Sequence, residues 1–114
     1  MKKYQLGALT VSDKELQDTK QEIVEELIDR MQKYVADGKK LFEDHSKTKE
    51  ERLSGIECYC GRFCGLAEFL NITMGVEARC ADGMLYTQVM YNNFFFWKQN
   101  LELDIRRERE GGAV

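Results

Sequence analysis

The stretch VEARCADGMLYTQVMYNNFFFWKQNLELDIRRERE, from Val76 to Glu110, decides what kind of fold this chain makes. Two readings compete for it. Val76-Glu77-Ala78-Arg79-Cys80 alternates apolar and polar as a strand does, Asp82-Gly83 is a strong hairpin-turn signal, and Leu101 to Arg106 alternates again. Against that, Met84 to Glu110 contains neither Gly nor Pro and finishes in Arg and Glu. Wound as a helix, it puts Leu85, Val89, Phe96 and Leu103 on one stripe. Tyr86, Met90, Phe94, Trp97 and Leu101 fall on the next. The length without breakers favours a helix over about 84–108. The alternative is α+β, with two helices and a small antiparallel meander over 76–106.

Just before this stretch the pattern is cleaner. Thr48-Lys49-Glu50-Glu51 has capping-box spacing, and Leu53, Ile56, Cys60, Phe63, Ala67 and Leu70 follow in alternating steps of three and four. A helix over about 48–71 is expected, ended by Asn71 to Gly75. Ser54, Cys58, Gly61 and Gly65 form a second stripe of small residues. A glycine inside a helix costs about 1 kcal/mol relative to Ala, so close approach of another backbone along this stripe is expected to offset it. Buried on two faces, this helix would be the centre of the fold.

Further out, Ser12-Asp13-Lys14-Glu15 repeats the capping-box spacing. Leu16, Ile23, Val24, Leu27, Ile28, Met31, Tyr34 and Val35 then make one wide apolar stripe, an amphipathic helix over about 13–37 with Asp37-Gly38 as its stop. The expected fold is therefore all-α: three long helices around the middle one, in a single domain over 1–110 with a frayed tail at 111–114. The chain's 114 residues suffice for one domain, and the lack of any proline, against about six at average usage, suits long helices.

Composition narrows the function. Seventeen Lys and Arg against 20 Asp and Glu give a net charge of −3, which argues against bulk binding to a phosphate backbone. No apolar run reaches membrane-spanning length, and no apolar segment follows Met1-Lys2-Lys3-Tyr4-Gln5 as a secretory leader would require. A cytoplasmic setting is expected, where cysteines stay reduced. Cys60 and Cys64 lie one turn apart and could share a metal, but Cys58 points away from Cys60, and paired C-x-x-C knuckles are lacking. Cys58, Cys60, Cys64 and Cys80 therefore read as core packing, with no metal and no cofactor expected. His45 is the sole imidazole, in a Lys-rich connector, and no nucleophile elbow, phosphate loop or dinucleotide fingerprint occurs. No catalytic residues are expected, and the chain does not read as an enzyme.

Two surfaces remain. Glu15, Asp18, Glu22, Glu25, Glu26 and Asp29 lie opposite the apolar stripe of the first helix, and from Asp13 to Asp29 the local charge is −5. Such a ridge suits a basic protein partner. In Phe94-Phe95-Phe96-Trp97, consecutive side chains point around most of a helix. Core packing is expected to take Phe96 and Phe95, leaving Tyr86, Met90, Phe94, Trp97 and Leu101 as an oligomer or partner interface, most simply a homodimer. The profile is that of a stoichiometric regulator or inhibitor of a basic target such as a nucleic-acid enzyme, of the phage or mobile-element type. The alternative is a small nucleic-acid-binding regulator using Lys39, Lys40, Lys47, Lys49 and Arg52, although interleaved acids make direct binding to DNA or RNA the weaker reading.

Overall fold

A computed structural model of the chain describes residues 13–111. The described part is all-α, with no β-strand in it: α1 (Asp13–Phe42), α2 (Lys49–Glu68), a π-helical turn (Phe69–Thr73) and α3 (Tyr86–Gly111). Ser12, the expected cap of the first helix, and tail residues 112–114 lie outside the described residues, whereas Gly111 is the last residue of α3.

At 30 residues α1 is about 45 Å long and ends at Phe42, beyond the stop expected at Asp37-Gly38. Gly38 does not stop it. A Cβ there would sit 2.9 Å from Trp97 Cζ3 and 3.0 Å from Phe94 Cε1, so this glycine is where α3's aromatic rings press against α1. The helix ends at Phe42, whose carbonyl accepts from Arg52 Nη1 at 2.7 Å. A cation at that end also meets the negative pole of the helix.

The capping box at the start of α2 forms as its spacing implies. Glu51 N donates to Thr48 Oγ1 at 3.0 Å, and Thr48 N donates to Glu51 Oε1 at 3.1 Å. Ile56, Cys60, Phe63 and, in the π turn, Leu70 are buried. The small-residue stripe behaves otherwise: Ser54, Cys58, Gly61 and Gly65 are exposed, and a Cβ on Gly61 or Gly65 would meet nothing within 4 Å. Among the described residues no neighbour approaches Gly61 or Gly65 along it. The close approaches occur instead at Gly38 and at Gly55, where Leu41 lies against the backbone.

Between α2 and α3 the hairpin signal is partly realised. Gly83 takes φ 87°, Gly83 N donates to Cys80 O at 2.9 Å, and Arg79 makes one isolated antiparallel bridge with Leu85. The pairing stops there because helix α3 begins at Tyr86.

On α3 the two stripes exchange roles relative to the expectation. Met90, Phe94, Trp97 and Leu101 are buried, with Phe94 at 0% and Trp97 at 6% exposure, while Phe95 and Phe96 are 53% and 58% exposed. Phe94 stacks obliquely on Phe63 of α2 (ring centroids 5.4 Å) and edge-on against Trp97 (5.5 Å, 85°). The physical reason is periodicity. Thr87, Met90, Phe94, Trp97, Leu101 and Ile105, all buried, keep steps of three and four along the whole helix, and so match the apolar seam of α2.

Helices α2 and α3 run antiparallel in a fixed register. Lys49 pairs with Glu108, Leu53 and Ile105 line one groove, Phe63 meets Phe94, and Asn71 Nδ2 donates to Thr87 Oγ1 at 3.0 Å. Each residue i of α2 therefore lies level with about residue 158 − i of α3.

Candidate functional site

The acidic ridge is laid out on the outward side of α1. Asp18, Glu22, Glu25, Glu26 and Asp29 are all exposed, opposite Leu27, Ile28 and Met31, which face the core. The side chain of Glu15 lies outside what the structure describes. The ridge is loosely knit: Gln21 Nε2 donates to Glu25 Oε1 at 3.1 Å, and Arg30 Nη2 pairs with Glu26 Oε1 at 2.8 Å. Surface pairs of this kind contribute little to stability. Most of its negative charge therefore stays available to solvent or to a partner.

The expected aromatic interface is not a surface. Met90, Phe94, Trp97 and Leu101 are the core of the chain itself, and half-buried Tyr86 accepts at its hydroxyl from Gln32 Nε2 at 2.7 Å. None of the four buried side chains can meet a partner without unfolding the chain. What α3 presents outward is Phe95 and Phe96, with Leu103 also exposed. Ile72, on the π turn, is the most exposed large apolar side chain described, at 73%.

Toward the start of α2 and the end of α3 the seam between them opens into a groove of about 480 Å³. Leu53 and Ile105 lie along it, Glu50 and Glu57 stand on the α2 wall, and Glu102, Arg106 and Arg109 on the α3 wall. Among the described residues none of these five charged groups has an ion-pair partner.

The cysteines separate by position. Cys60 is buried and Cys80 half-buried, whereas Cys58 and Cys64 are exposed, so core packing describes Cys60 best. Cys60 and Cys64 bring their sulfurs to 4.0 Å. Burial, reinforced by the neighbouring Cys64, pushes the Cys60 thiol up to about 11. Among the described residues no three or more His, Cys, Asp or Glu side chains converge as a metal site would need. His45 is exposed in the connector.

The basic group considered for nucleic acid is partly committed to the fold. Arg52 is buried and holds the end of α1, and Lys49 is paired with Glu108. Lys39, Lys40 and Lys47 remain exposed.

No helix among the described residues is long and apolar enough to cross a membrane. No known protein family matches the chain, and neither a curated protein nor a solved structure does.

Proposed function

We propose that the chain is a non-catalytic protein–protein interaction module. It acts as a homodimer that offers the acidic outward side of α1 to a basic protein, in the manner of a stoichiometric regulator. The observation that carries this reading is the pairing of two unlike surfaces on one small helical body. Asp18, Glu22, Glu25 and Asp29 line the outward side of α1, and Phe95 and Phe96, on adjacent faces of α3, are each more than half exposed. Exposed aromatic side chains of this size are the residue types that interface cores favour. The nucleic-acid alternative loses ground because Arg52 and Lys49 are spent inside the chain.

The ridge is tested by titrating the full chain with a synthetic Lys/Arg-rich peptide at low and moderate salt. Reversing Glu22, Glu25 and Asp29 to Lys should weaken binding by tenfold or more. Reversing the scattered acids Glu43, Glu68 and Glu110 should weaken it far less. Equal losses in both triple variants would reduce the ridge to ordinary solvated surface.

A further inference from the structure

We propose that the open face shared by α2 and α3 is a self-complementary seam. It takes a second copy of this chain, related by a two-fold axis parallel to the helices. This rests on the reading of the chain as a self-associating module and supplies the geometry of that association.

Register decides which residues would meet. With the axis parallel to the helices, the second copy's α3 lies over α2 of the first at an unchanged level, and its α2 lies over α3. What each α2 residue meets then follows from the internal register of about 158 − i. Phe95, half in solvent, comes level with position 63 of α2. Of the exposed positions flanking that level, Arg62 and Cys64 carry side chains, whereas Gly61 and Gly65 carry none and a Cβ there would find nothing within 4 Å. The second copy's Phe95 thus falls level with a hollow in α2 left by two glycines and bordered by the small Cys64, and symmetry makes the contact twice.

The groove end agrees. Glu50 comes level with position 108, between the second copy's Arg106 and Arg109, and these groups have no ion-pair partner among the described residues of their own chain. A uniformly basic partner would meet Arg106 and Arg109 as like charges, whereas a groove end with Glu50 on one wall and Arg106 and Arg109 on the other is complementary to its own twin. One juxtaposition opposes the pairing: Glu57 comes level with the second copy's Glu102, both exposed at the rim. Removing one charge by Glu102→Gln should therefore tighten the dimer.

The test is sedimentation equilibrium of the full chain and its variants. Gly61→Leu fills the hollow. In the isolated chain it meets open space and adds helix propensity, so the thermal melt should hold or rise while dimer affinity falls by roughly tenfold or more. Phe95→Asp should lower affinity likewise with helicity unchanged. R106E with R109E should weaken the dimer, and adding E50R should restore it. A dimeric wild type whose G61L and F95D forms associate equally well overturns this seam and leaves self-association standing. A wild type that stays monomeric at every concentration overturns both.

Discussion

Phe94 and Phe96 are two residues apart and energetically unlike. Phe94 is fully buried between Phe63 and Trp97, so Phe94→Ala should cost about 3–5 kcal/mol by removing contacts and leaving a cavity. Phe96, mostly in solvent, with its ring tilted against that of Phe42 at a centroid distance of 6.4 Å, should tolerate the same change at under about 1 kcal/mol. Urea denaturation of the two variants separates these outcomes, and equal losses would return Phe96 to the core. Glycines divide in the same manner. At Gly61 an alanine should stabilise the helix by about 0.5–1 kcal/mol. At Gly38 its methyl would press on two aromatic rings, and overpacking of about 1–3 kcal/mol should outweigh that gain. The cysteines supply a chemical check. With its thiol raised to about 11, Cys60 should resist alkylation at pH 8 while exposed Cys58 and Cys64 react, read by mass spectrometry of the digested protein.

Helix boundaries depend on a few local bonds. The Thr48–Glu51 box satisfies two backbone donors at the start of α2, so Thr48→Ala should cost about 1 kcal/mol. The Thr48 N–H, and then its hydroxyl, hold the Glu51 carboxyl below the ordinary carboxylate range. A depressed folded-state value means the contribution is present above the unfolded value and lost as pH falls through the folded one. Acid unfolding of T48A should accordingly show a weaker dependence on pH in that range than wild type. This box was legible in the sequence, because the four residues that make it are contiguous. So was the seam of α2, whose spacing never breaks from Leu53 to Leu70. The faces of α3 were harder, since both stripes carry aromatic residues. The deciding signal was present nonetheless: Asn92 and Asn93, then Gln99 and Asn100, interrupt the Leu85/Val89/Phe96/Leu103 side, while the Met90/Phe94/Trp97/Leu101 side runs on to Ile105. Which glycines lie against a neighbour was not legible, because Gly38 and Gly61 differ only in what another helix places opposite them.

For the molecule as a whole, the swap of stripes moves the candidate surfaces. Met90, Phe94, Trp97 and Leu101 are buried in the core, and the surfaces proposed for recognition are the exposed ridge on α1 and the α2/α3 face around Phe95. Binding of a basic partner to so open a ridge, as proposed, should be salt-sensitive, because exposed charges are screened within about 10 Å at 0.1 M salt. The proposed α2/α3 seam would join apolar contact to ion pairing and should be less sensitive to salt. The most direct measurement is the solution mass of the unmodified chain by light scattering across a concentration series. The proposed dimer predicts a mass rising to twice 13.3 kDa at both low and moderate salt. A mass fixed at 13.3 kDa throughout would contradict it and leave Phe95 and Phe96 exposed on a solitary chain.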